Sequence, residues 1–313
     1  MKRVGYNMQT IPDDWEVFDE DHPVHQGMRD LFLADEGHYL AKCDLKGADG
    51  WTIGSYMTML GDPTMLDDLK FGIKPPQVVA FILKYGAEAY QQVAKDRFLL
   101  KDRIQIISKE LWEYFVSKQG FYGSCYLMGP QKLTERVFIE SEGKVNLSLS
   151  QGKEFQSAIK VRYNISILHK WMERYLRGQR YPAKLTASNG FTRIFYSRNG
   201  CYPKQPCDAL GEALAHLPQV YTTAATLKAA YNLWVDPENH YENNKLRVEI
   251  LHQVHDELLV QFKIEDITWA ITKLKSWFDN PIQIANQTIT IPFDGSYGTS
   301  WAMDEKTKVG EIK

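Results

Sequence analysis

The stretch HQVHDELLVQF, residues 252–262, decides how the rest of the chain is read. Valine, isoleucine, leucine and phenylalanine on both sides of the HDE triplet supply the apolar, β-favouring surface of a half-buried hairpin. The expectation is strand, tight turn and strand, with His255, Asp256 and Glu257 at the bend. Two adjacent carboxylates at the tip of a buried element repel each other and lose hydration, so they call for compensation by solvent, a basic group or a cation. The sharp reading is a divalent metal.

A second run of the same kind lies far upstream. GHYLAKCD, residues 37–44, reads as a buried strand ending in Asp44. Two strand-end aspartates, Asp44 and Asp256, share a pair of Mg²⁺ ions if their strands are neighbours. Read alone, each Asp fits an ordinary turn better.

Between the two, from about 62 to 180, the periodicity turns helical. The runs are PPQVVAFILKYGAEAYQQVAKDRF, KDRIQIISKELWEYFVSKQGFYGSCYLMG and GKEFQSAIKVRYNISILHKWMERYLRG. A short β-like piece at LTASNGFTRIFYSR follows, then a helix from about Asp208 through Val235, the hairpin, a helix over EDITWAITKLKSWFDN and a last strand over TITIPF. The layout is α+β, a sheet whose strands lie far apart in sequence with a helical module inserted between them. No internal repeat or low-complexity tract interrupts it.

The bulk numbers fit an ordinary folded core, with 313 residues, 44% hydrophobic and 24% charged. The formal net charge of −2 hides basic stretches such as residues 160–184, so nucleic acid remains a candidate partner. The four cysteines, Cys43, Cys125, Cys201 and Cys207, form no zinc-type spacing and point to a reduced, cytoplasmic setting. MKRVGYNMQTIP lacks the apolar core of a signal peptide, and no apolar run has the length to span a bilayer, so no membrane partner is expected.

Two further constellations stand out. In KQGFYGSCYLMGP, Lys118, Tyr122 and Tyr126 fall at successive steps of four, on one face of a helix. A cation that can touch a triphosphate, one turn from an aromatic ring that can pack on a sugar or base, suits a nucleotide site. A surface lysine beside an aromatic core stripe is the plainer alternative. His169, Lys170, Trp171, Arg174, Arg177 and Arg180 make a basic, aromatic-bearing helix that could track a phosphate backbone or simply face solvent.

In order along the chain, these pieces resemble the polymerase module of family A DNA polymerases, the bacterial polymerase I class and its phage relatives. KCDLKGAD resembles motif A, with Asp44 at the first metal-binding aspartate. HQVHDE resembles motif C, with Asp256 at the second and Glu257 at its acidic neighbour. KQGFYGSCYLMG resembles motif B, with Lys118 at the triphosphate-binding lysine and Tyr122 at the aromatic that packs on the incoming nucleotide. YNMQTIP resembles the segment before the palm, EALAHLPQVYTTA the helix whose glutamine, here Gln219, reaches the minor groove, and TIPFDGSYGTSW the C-terminal strand.

The resemblance implies a right-hand fold: palm over 1–54, an inserted helical fingers subdomain over 55–200, and palm again over 201–313. It implies a DNA-directed DNA polymerase that uses two Mg²⁺ ions held by Asp44 and Asp256, with Glu257 as a third catalytic carboxylate. Lys118, Tyr122 and Asp49 would contact the dNTP, and Tyr126, Gln219, His255 and Arg29 the primer–template DNA. The chain begins almost where the family's palm begins, which carries the expectation of a split polymerase. Its thumb and 3′–5′ exonuclease would sit on a separate chain, and this subunit would be phage-encoded and work in the host cytoplasm.

Three positions depart from the family. Tyr114 stands where an arginine normally precedes the motif B lysine by one turn. A charge-assisted contact contributes about 1.5–3 kcal/mol, so its loss weakens nucleotide binding roughly ten- to a hundredfold. Lys109 and Arg103, upstream, do not share the Lys118 face by helical spacing. Leu127 replaces a glycine after the tyrosine, and Asp49 replaces the glutamate that excludes ribose. The rival reading is a polymerase-like subunit without catalysis, a DNA-binding scaffold of a replication complex.

Overall fold

The computed structural model describes residues 28–107, 111–180, 182–196, 209–243 and 245–312. YNMQTIP, Lys109, Cys201 and Cys207 lie outside the described residues. The chain runs β1 (His38–Leu45), α1 (Ala48–Met59), α2 (Thr64–Lys70), α3 (Pro75–Val93), α4 (Arg97–Gln105), α5 (Trp112–Cys125), α6 (Pro130–Glu140), α7 (Leu149–Arg162) and α8 (Ser166–Arg177). It continues through β2 (Ala183–Thr186), β3 (Thr192–Phe195), α9 (Leu210–Val235), β4 (Val248–Val254), β5 (Glu257–Lys263), α10 (Ile267–Phe278), β6 (Pro281–Ile284), β7 (Gln287–Thr290), β8 (Phe293–Gly298) and β9 (Lys308–Ile312). The mixed helix and antiparallel-sheet character matches the α+β expectation. No described helix is long and apolar enough to cross a membrane.

The chain divides into two compact units. The first comprises the described residues up to Gly47, Thr222–Ile282 and Ile289 onward; it holds a five-stranded sheet in the order β4-β5-β1-β8-β9. Every pairing in that sheet is antiparallel. β1 is the central strand, paired with β5 along one edge and β8 along the other, so strands from opposite ends of the sequence meet there.

The hairpin differs from the half-buried one expected. β4, at the sheet edge, is partly exposed, but β5 is buried from Glu257 to Phe262. A strand flanked on both edges and covered on both faces carries a continuous apolar run rather than an alternating one, and LLV-F is such a run. On one face Leu40, Val254, Leu259 and Trp301 form a cluster with Phe32 and Met303 packed against it.

TITIPF is not one strand. β7 ends at Thr290 and pairs with β6 in a separate two-stranded sheet, whereas β8 starts at Phe293 in the main sheet. Pro292 makes the break, since it has no N–H to give to a ladder. Its carbonyl accepts the Lys46 N–H at 2.8 Å.

The second unit, Ala48–Tyr221 with Gln283–Thr288, is mainly helical. Its helix boundaries follow capping chemistry. Asp96 accepts the N–H groups of Phe98 and Leu99 at the start of α4, Ser148 and Gln151 form a capping box on α7, and Pro130 opens α6. Gly86, at φ 85°, kinks α3. α8 buries Leu168, Met172 and Leu176 at steps of four.

A polar staple fixes this helical unit from inside. Asp68 on α2 is fully buried and takes two hydrogen bonds from the Arg162 guanidinium, at 2.6 and 2.5 Å, and a third from Tyr163 Oη at 2.8 Å. Arg162 also donates to Tyr90 Oη on α3 at 2.5 Å. A buried carboxylate is tolerated here because its charge and its lone pairs are both met.

Candidate active site

Strand register brings the two sequence-distant segments together. Cys43 on β1 lies opposite Leu258 on β5, so the next step along β1 puts Asp44 level with Glu257, at the foot of the His255–Asp256 turn that joins β4 to β5. Val254 pairs with Glu257, which leaves His255 and Asp256 as a two-residue turn. His255 takes a φ of 52°, the left-handed region that few non-glycine residues occupy. Thr226 Oγ1 donates to the Asp256 carbonyl at 3.2 Å and ties the turn to α9.

The electrostatics report the same proximity. The Asp44 carboxyl is pushed up to about 7, first by burial and next by the Asp256 charge, although the Leu45 N–H donates to Asp44 Oδ1 at 2.7 Å and opposes the shift. A carboxylate raised by burial and a neighbouring negative charge favours a cation beside it.

Glu257 differs from these two. It is only 9% exposed, its Oε2 lies 3.2 Å from Lys42 Nζ, and its Oε1 accepts a hydrogen bond from Trp301 Nε1 at 3.1 Å. The basic group that adjacent carboxylates call for is thus supplied by the chain itself at Glu257. Trp301 is held in turn by Phe32, edge-on at 5.3 Å, and by the Arg29 guanidinium 4.7 Å from its ring centre. Arg29 is itself buried.

A fourth carboxylate went unnoticed in the sequence. Asp294 on β8 is the register partner of Asp44, and Lys46 Nζ stands 3.2 Å from its Oδ1. The signal was available. Residues 42, 44 and 46 alternate onto one face of β1 and its extension, so both lysines flank Asp44 by strand periodicity.

Among the described residues no group of three His, Cys, Asp or Glu side chains closes into a metal cage. The donor set nevertheless fits Mg²⁺, which binds through one or two carboxylates and completes its octahedron with water and substrate phosphates.

The second unit holds the other predicted nucleotide contacts. Lys118 and Tyr122 share a face of α5 with Tyr114, and Lys118 is exposed. Tyr126 is not on the helix as the spacing implied; it is the C-cap residue. Its hydroxyl donates to Asp49 Oδ2 at 2.7 Å, and burial followed by the Asp49 charge pushes its pKa up. Gly50 leaves room for the Tyr122 hydroxyl, which lies 2.8 Å from where a Cβ would stand.

Leu127 has a φ of 69°, with the Met128 N–H bonded to the Gly123 carbonyl at 2.8 Å and the Leu127 N–H to that of Ser124 at 3.1 Å. This is a Schellman ending with leucine in the position that glycine normally fills.

Gln219 is exposed on α9, next to Pro218 inside the same helix. On α8, His169 bonds the Cys125 carbonyl at 2.9 Å and burial lowers its pKa, while Trp171 packs on Tyr56 at 5.4 Å. Lys170, Arg174 and Arg180 remain at the surface.

No protein-family model matches the sequence, and no curated protein matches it. Solved structures do match. One is the POL domain of Pol1 from M. smegmatis in complex with DNA primer-template and dNTP, with a TM-score of 0.64 at 18% identity, covering 95% of this chain and 45% of that one. This chain therefore spans under half the length of that structure, and the likeness establishes the fold.

Proposed function

We propose that this chain is a polymerase palm and fingers that adds deoxynucleotides to a primer 3′-hydroxyl under template direction. One observation carries the reading: two carboxylates without an ion pair among the described residues, Asp44 and Asp256, meet at one end of an antiparallel sheet of polymerase-like fold. The matching structure was solved with primer-template DNA and dNTP, and those are the partners assigned here.

Asp44 and Asp256 would hold two Mg²⁺ ions, which supply Lewis-acid stabilisation of the phosphoryl oxygens and a more acidic primer hydroxyl. The protein's own groups bind and orient the reactants. Asp44 and Asp256 supply the negative charge of the site from a rigid strand end and a tight turn. Lys118, exposed on α5, meets the triphosphate, and Tyr122 packs on the incoming nucleotide. The Tyr126–Asp49 hydrogen bond sets the wall that the sugar approaches. His255 and Gln219 are assigned to the DNA.

The scaffold reading draws on Tyr114, which removes a triphosphate-facing cation from α5. Leu127 no longer favours it, because the glycine-type backbone persists.

The test is primer extension by one nucleotide with Mg²⁺, comparing the purified chain with Asp256→Ala. It is run with and without proteins that co-purify from the source. Extension that vanishes with Asp256→Ala supports the proposal. DNA binding with no extension in any combination supports the scaffold.

A further inference from the structure

Four carboxylates share one end of the sheet, and two lysines divide them into unlike pairs. Asp44 stands on β1 with Lys42 two residues before it and Lys46 two residues after it. Lys42 reaches diagonally to Glu257 on β5, and Lys46 reaches Asp294 on β8. Asp44 and Asp256 have no ion-pair partner among the described residues.

The two lysines are not equivalent. Lys46 and Asp294 are each 43% exposed, and a pair in that setting contributes little. The Lys42–Glu257 pair is enclosed, with side chains 27% and 11% exposed, and the Trp301 indole engages the second oxygen. Glu257 is therefore engaged on both oxygens, and Trp301, one of the two groups, belongs to the Leu40–Leu259–Trp301 cluster.

Adjacent position alone would let Glu257 join the cation site. We propose that Lys42 is a positioning residue: with Trp301 it holds Glu257 away from the cation, so that Asp44 and Asp256 alone receive it. The inference rests on the nucleotidyl-transfer reading for its consequence in turnover, but not for its consequence in metal binding. Removing one partner of an enclosed pair leaves the other charge uncompensated, while removing both is nearly neutral. A carboxylate freed in this way adds a ligand and a charge to the site, which tightens cation binding and misplaces the cation.

The test is Mg²⁺ titration by calorimetry, alongside single-nucleotide extension, on Lys42→Met, Glu257→Gln and the double variant. Lys42→Met binds Mg²⁺ about fivefold tighter than wild type and lowers kcat about tenfold, with the KM for dNTP within about twofold. Glu257→Gln, which keeps an oxygen for the Trp301 N–H, leaves Mg²⁺ affinity within about twofold. The double variant returns to the Glu257→Gln values.

A roughly tenfold loss of Mg²⁺ affinity in Glu257→Gln would make Glu257 a metal ligand and overturn the proposal. So would a double variant that behaves like Lys42→Met. If Lys42→Met does not fold, as circular dichroism would show, Lys42→Arg and Glu257→Gln decide, and both are expected to keep wild-type Mg²⁺ affinity. If the wild type binds Mg²⁺ but extends no primer, the polymerase reading fails while the affinity series still judges Lys42.

Discussion

Replacing Asp44 with asparagine should make the metal-free protein more stable, against the usual outcome for a buried polar change. The Asp44 carboxyl sits at about 7 in the folded chain against an ordinary 3.8. A raised pKa in an acid means that folding favours the protonated form. Its contribution is therefore fully present below about pH 4 and is lost as pH rises through 7. The loss grows to about 2 kcal/mol at pH 5 and about 4 kcal/mol at pH 8.

Asparagine is neutral throughout, and its Oδ1 can still accept the Leu45 N–H. Urea unfolding of wild type and Asp44→Asn in EDTA, at pH 8 and pH 5, reads the difference directly. The variant should be more stable by about 4 kcal/mol at pH 8 and by about 2 kcal/mol at pH 5. Saturating Mg²⁺ should stabilise the wild type and leave the variant unmoved, because the cation offsets the burial and the Asp256 charge that disfavour ionised Asp44. An Asp44→Asn protein less stable than wild type at pH 8, or a gap that does not change with pH, would refute the argument.

Leu127→Gly should stabilise the chain by about 1 kcal/mol, read as a shift in the urea midpoint, because leucine holds a left-handed φ that glycine adopts freely. Arg162→Met should cost about 3–5 kcal/mol by leaving Asp68 buried and uncompensated, and adding Asp68→Asn should recover a large part of that loss. Asp49→Glu should raise discrimination against ribonucleotides about tenfold in competitive incorporation, by restoring the methylene that the shorter side chain lacks. Equal discrimination in the two proteins would remove Asp49 from the sugar wall.

How far the sequence carried this account depended on how local each signal was. β1, α5, α9 and the β4–β5 hairpin announce themselves by apolar pattern and by the turn, so Asp44 and Asp256 were visible as strand-end acids. Their meeting was not visible, because it depends on Cys43 lying opposite Leu258 across more than 200 intervening residues. TITIPF misled because its β-branched residues favour a strand on either side of Pro292, and one residue type cannot say which sheet each half joins. Lys42 was legible by alternation with Asp44, but its partner across the sheet was not. Leu127 gives no sign in sequence of its left-handed φ, because leucine rarely takes the place that glycine fills at such a helix end.

On the proposed function, Asp44 and Asp256 form one cation-dependent centre for template-directed nucleotide addition. The direct measurement is single-nucleotide incorporation with Mg²⁺ on four primer–templates that differ only in the templating base, each offered all four dNTPs separately. The account predicts one favoured dNTP per template, its identity set by pairing, and no product with Asp44→Ala or Asp256→Ala. Incorporation that ignores the templating base, or that survives either substitution, would contradict it.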